Sequence, residues 1–110
     1  MLSSKKVILR DERSDTDIRY LSAEINQDGD LVFEGQDLGK GVEGVFGCSE
    51  YEWWWSVKAE DISLFEKAMG CTGKLLKNIE LKFSNENAAN LYEFMQANEI
   101  PFETSSRIGD

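Results

Sequence analysis

Three consecutive tryptophans, Trp53, Trp54 and Trp55, sit in the run Ser49 to Lys58, and they are every tryptophan the chain has. Read as a strand, the run sends alternate residues to opposite faces. Tyr51, Trp53, Trp55 and Val57 then share one large apolar face suited to a domain core. Glu50, Glu52, Ser56 and Lys58 share the other face, which is polar except for Trp54. That leaves two readings of Trp54. Either it is an exposed anchor for a partner, or it is core because the sheet is covered on both faces or a bulge reorients the run.

The rest of the chain supplies the sheet around this strand. Lys5 to Arg13 alternates around Val7 and Leu9 and reads as a first strand, ending at the polar turn Ser14 to Asp17. Ile18 to Asn26 reads as a second strand whose core side the pattern does not settle. Gln27-Asp28-Gly29-Asp30 follows, and Asp-Gly between two β-rich runs predicts a hairpin with positive φ at both turn centres. A calcium loop fails here, because the oxygen-donor series is incomplete and no glutamate closes it at the required spacing. Leu31 to Gln36 is the third strand. Four glycines then fall between Gly39 and Gly47, an irregular connection anchored by Val42, Val45 and Phe46. It is a poor phosphate loop, since Lys40 precedes Gly41 rather than Ser or Thr, and Asp37 and Glu43 flank it.

After Lys58 the period changes. Glu60 and Asp61 place charge where a helix N-terminus is positive. Ile62, Phe65 and Met69 then form an apolar stripe, and Gly70 stops it. Lys74 to Phe83 is ambiguous, because Ile79 to Phe83 also alternates as a strand; Leu75-Leu76-Lys77 favours helix. Ser84-Asn85 caps a further helix with the stripe Ala88, Leu91, Tyr92 and Met95, ending near Asn98. Ile100 to Thr104 reads as a short closing strand, with residues 1–4 and 105–110 frayed. Strands first and helices second predict one α+β domain, an antiparallel sheet of four or five strands with about three helices on one face.

Charge and composition limit the chemistry. The net charge is −9, and ten acids against Lys40 and Lys58 fall between Tyr20 and Asp61. Such a segment repels phosphate backbones and favours a basic protein partner over nucleic acid. With no histidine, Ser-His-Asp and Cys-His catalysis is excluded and a Cys/His zinc site is not expected. Cys48 and Cys71 show no ligand or redox spacing and are expected as free thiols. Glu50 and Glu52, roughly 7 Å apart along one strand face, are the best carboxylate pair for acid-base work. With ten acids in this segment, such pairs also arise by chance. No apolar run spans a membrane and no signal-peptide block opens the chain, so a cytosolic protein without cofactor is expected.

The segments Glu34-Gly35-Gln36-Asp37-Leu38-Gly39 and Ser49-Glu50-Tyr51-Glu52-Trp53-Trp54-Trp55 together resemble a signature of small acidic bacterial proteins. These are the immunity proteins of contact-dependent growth inhibition and related toxin systems. The likeness covers about residues 18 to 70. It implies a cytosolic, non-enzymatic inhibitor that neutralises a toxin domain, often a nuclease, and it carries no functional residue across. From the residues themselves, the candidate contact set is Trp54 as anchor, with Glu50, Glu52, Glu34, Asp37 and Glu43 supplying charge. An acidic adaptor, a small-molecule-binding domain with the glycine-rich loop as lid, and a small carboxylate hydrolase are the alternatives.

Overall fold

The computed structural model describes residues 5–13, 17–39, 50–70 and 73–109, without the side chains of 39, 50, 108 and 109. Glu43, Cys48, Cys71, most of the Ser14 to Asp17 turn and nearly all of the glycine-rich connection lie outside the described residues. Five strands form one antiparallel sheet in chain order: β1 (Lys5–Arg13), β2 (Asp17–Ile25), β3 (Leu31–Gly39), β4 (Glu50–Val57) and β5 (Glu103–Gly109). Three helices, α1 (Ile62–Met69), α2 (Leu75–Phe83) and α3 (Leu91–Ala97), connect β4 to β5 and pack on one face of the sheet. The fold is α+β, as the order of elements predicts.

The odd side of β3 and β4 faces the helices. Leu31, Phe33 and Val57 are fully buried there, with Leu21 and Ala23 supplied by β2. This settles the open question about the second strand. A bulge in β1 between Ile8 and Arg10 shifts the register, and Leu9 sinks into the same core at 1% exposure. Phe65 of α1 sits at the centre, its ring 6.0 Å from Phe33, 6.5 Å from Phe83 and 5.5 Å from Phe94.

The ambiguous segment is helical, and burial shows why. Ile79 and Phe83 are buried while Leu81 is 71% exposed, a period of four that no strand could produce. Around Ser84 the outcome differs from the single helix expected. Asn85–Asn90 forms 3₁₀ turns first, Ser84 makes no side-chain cap, and the α-helix starts only at Leu91. Three asparagines in six residues compete with the α-helical backbone for its own hydrogen bonds.

The β2–β3 hairpin forms where predicted, but its turn is longer than the Asp-Gly pair implied. Gly29 N–H donates to the Asn26 carbonyl at 3.0 Å, and Asn26 N–H to that of Asp30 at 3.0 Å. Only Gly29 takes positive φ, at 84°, and Asp28 does not. A three-residue turn needs one left-handed position, not two. Asp30 Oδ1 accepts the Ala59 N–H at 2.8 Å, tying this hairpin to the start of the helical layer.

The closing strand is displaced from the expected 100–104. Ile100 is buried and Phe102 packs on the core, so this stretch is a linker anchored by side chains. The strand is Glu103–Gly109; it keeps Glu103 and Thr104 of the expected strand and runs on through 105–109, residues expected to fray. Ser105 and Ser106 have little intrinsic preference for strand; pairing along β4, from Glu50↔Gly109 to Ser56↔Glu103, orders them.

Candidate functional site

The sheet offers two surfaces, and the sequence-predicted residues divide between them. On the face away from the helices, paired positions run Ile8, Ser22, Glu34, Trp54 and Ser105 across all five strands. Trp54 thus stands on the uncovered face, half-buried and directly opposite Glu34. It makes no ring contact with any described residue, unlike Trp53 and Trp55. Glu52 lies one pair further along, and its Oε1 accepts from Arg107 Nη2 at 2.9 Å. Glu50 begins the same strand, its backbone paired with Leu38 and Gly109, and its side chain lies outside the described residues.

Charge on this face is milder than the sequence segment implied. Asp11, Glu24, Glu34, Glu52 and Glu103 share it with Lys6, Arg13 and Arg107. The remaining acids of the segment go elsewhere. Asp28 and Asp30 sit in the hairpin turn, and Glu60 and Asp61 precede α1. Asp37 is on the helix side, opposite Arg19 and Tyr51, so it cannot join Trp54 in one contact surface. Acids close in sequence are spread around the fold because strand alternation and a turn divide them.

The second surface is a cleft on the helix side. The helices cover only part of that face; beyond their edge the odd positions of β3 and β4 continue to Asp37, Trp53 and Tyr51. A cleft of about 520 Å³ opens there, lined by Asp37, Tyr51, Trp53, Trp55, Tyr92 and Thr104, with Ser105 and Ser106 of β5. Its aromatic rings form a connected row. Tyr51 stacks on Trp53 at 5.4 Å, Trp53 meets Trp55 at 6.2 Å, and Trp55 meets Tyr92 at 5.3 Å. A smaller lobe of about 170 Å³ shares Asp37, Trp53 and Trp55 and is closed by Arg10, Arg19, Ala88 and Ala89.

Burial holds the Asp37 carboxyl above its ordinary value, against the opposing pull of Arg19 and then Arg10. Among the described residues it has no hydrogen-bond or ion-pair partner. Arg10 is already engaged, with Nε 2.6 Å from Glu12 Oε2 and Nη2 3.2 Å from Oε1. That pairing holds the Glu12 carboxyl below its ordinary value. The Trp53 indole N–H is buried with no partner among the described residues.

Sequence reasoning assigned Tyr51, Trp53 and Trp55 to a closed core and overlooked Arg10, Arg19 and Tyr92. Two signals pointed to the cleft. Gly35 interrupts the strand pattern of β3, and a glycine there marks a close approach. Arg19 shares its strand face with Leu21 and Ala23, a charge on what is otherwise a core side.

Among the described residues no cluster of three or more His, Cys, Asp or Glu could hold a metal ion, and no helix is long and apolar enough to cross a membrane. No family model matches the chain, and no curated protein or solved structure matches it.

Proposed function

We propose that the protein is a non-enzymatic binding module, a cytosolic inhibitor of the immunity type that covers the basic cleft of a toxin domain with its uncovered sheet face. The observation that carries this reading is Trp54. It stands half-buried on β4, next to the edge strand, on a face that no described helix covers, between Glu34 on β3 and Ser105 on β5. Tryptophan is the residue most enriched among energetic anchors of protein interfaces. On β1 of the same face, three strands away, Ile8 at 42% exposure adds apolar area, and among the described side chains five acids against three bases favour a basic partner. The contact set on the described residues reduces to Trp54, Glu34 and Glu52; Asp37 leaves it for the opposite face.

The test starts with a partner recovered from the native host, identified and purified, and assayed for toxicity with and without this protein. Stoichiometric inhibition by the wild type, lost in Trp54→Ala at unchanged fold, is the expected result. Equal inhibition by a variant carrying Trp54→Ala, Glu34→Gln and Glu52→Gln would overturn the reading.

A further inference from the structure

We propose that the cleft on the helix side binds an organic cation, a guanidinium or substituted ammonium group seated between the aromatic row and Asp37. The argument rests on which groups the cleft leaves unsatisfied. A row of four contacting rings, Tyr51, Trp53, Trp55 and Tyr92, lines a cavity of about 520 Å³, within the size range of small-ligand sites. Aromatic π-faces are negative, and a cation within about 6 Å of a ring centre is attracted to them, more so when water is displaced. One carboxylate stands in the same wall, and it has no hydrogen-bond or ion-pair partner among the described residues. A half-buried carboxylate without a partner is costly, and a bound cation removes that cost.

An anion fits less well. Arg10 already spends its charge on Glu12, and Arg19 lines only the smaller lobe, so an anion in the larger cleft would meet Asp37 and the ring faces first. A neutral apolar ligand would fill the cleft yet leave the carboxylate buried and alone. Thr104 and Ser106 place hydroxyls at the rim that suit the polar substituent of a ligand such as an amino alcohol.

Protonation follows from the same geometry. Asp37 faces Arg10 and Glu12 from β1, Arg19 from β2, Tyr51 from β4 and Tyr92 from α3. Burial raises its pKa and a bound cation lowers it again, so affinity falls as acid protonates Asp37. The cleft is on the sheet face opposite Trp54, so this proposal stands or falls separately from the protein contact described above.

The experiment follows the indole N–H resonances of Trp53, Trp54 and Trp55 in the full chain, at constant ionic strength. Three probes are titrated: choline, N-acetylarginine amide, and 3,3-dimethylbutan-1-ol, the uncharged counterpart of choline. Saturable shifts at Trp53 and Trp55 with at least one cation, absent with the alcohol, are expected. Response to choline alone assigns the site to a free small cation, and response to the arginine amide alone to a side chain of a partner. Asp37→Asn should weaken binding at least tenfold, and Tyr92→Leu, at a 38% exposed ring, several-fold. Thermal unfolding shows that each variant folds, and the second variant serves if the first does not. No saturable shift with either cation, equal binding of the alcohol, or unchanged affinity in both variants would overturn the proposal.

Discussion

The indole of Trp53 lies flat across Gly35, its paired residue on the neighbouring strand, so closely that a Cβ at position 35 would overlap Cε2 and Cζ2 of the ring. The two residues form one unit: the glycine serves as floor, and the ring, whose N–H donates to no described residue, is held there by packing. Relief of the overlap would require Trp53 to leave its place in the row between Tyr51 and Trp55.

Gly35→Ala should therefore destabilise the protein by about 2–3 kcal/mol, the range of forced overpacking. Trp53→Ala removes the ring that the methyl would strike. In that background Gly35→Ala should cost little, giving a coupling of about 2 kcal/mol in a double-mutant cycle of denaturant unfolding. Additive effects would show that the ring rests elsewhere.

A stabilising change is predicted at the end of α3. Glu99 N–H donates to the Gln96 carbonyl and Ile100 N–H to that of Met95, the paired bonds of a Schellman stop. The left-handed residue of this motif is Glu99, with φ at 55°, where glycine is usual. Its side chain is exposed, so Glu99→Gly removes backbone strain and loses no buried contact. The melting temperature should rise, corresponding to about 0.5–1 kcal/mol, while Glu99→Ala should give no such gain.

What could be read in advance followed from local rules. The strand limits of β1, the helix stop at Gly70 and the alternation of Tyr51, Trp53, Trp55 and Val57 each depend on neighbours in sequence. β5 was misplaced because Ser105-Ser106-Arg107 becomes a strand only through pairing with β4, a relation some fifty residues distant. The same limit affected the site. Alternation correctly put Trp54 and Tyr51 on opposite faces. It could not show that the helices stop short of Tyr51 and Asp37, which turns part of a core face into a cleft. Asp37 was read for its charge and its neighbourhood in sequence, yet its register with Arg19 and Tyr51 decides which face it serves.

The acid response should carry the mark of Asp37. Its folded pKa lies above the ordinary 3.8, so between 3.8 and that raised value the folded state keeps a proton that the unfolded chain releases. Stability from this group therefore falls as pH rises through that window, and the penalty persists at neutral pH. Asp37→Asn cannot ionise. It should melt higher than the wild type at pH 7, and the difference should vanish below 3.8. Glu12 acts in the opposite direction, its pKa being lowered by Arg10, but it is present in both proteins and cancels in the comparison. An advantage of the variant over the wild type no larger at pH 7 than at pH 3 would show that the Asp37 carboxylate is fully hydrated.

Trp54 and Trp55, adjacent in sequence, should respond oppositely to truncation. Trp55 packs against the buried core, with ring contacts to Phe33 at 6.4 Å, Trp53 at 6.2 Å and Tyr92 at 5.3 Å. Its removal leaves a cavity that neighbouring strands cannot close, at a cost of about 3–5 kcal/mol. Trp54 has only the sheet surface beneath it and no ring partner among the described residues, so Trp54→Ala should cost about 1 kcal/mol or less. Against a purified partner the order reverses. Apolar contact is lost chiefly through faster dissociation, and Trp54→Ala should raise that rate by the equivalent of about 2 kcal/mol at a nearly constant association rate. Added salt should slow association for the wild type and less so once Glu34 and Glu52 are neutralised, because screening acts on the charges and hardly on the ring. A Trp54→Ala protein as unstable as Trp55→Ala would place Trp54 in the structural framework and remove the anchor from the uncovered face.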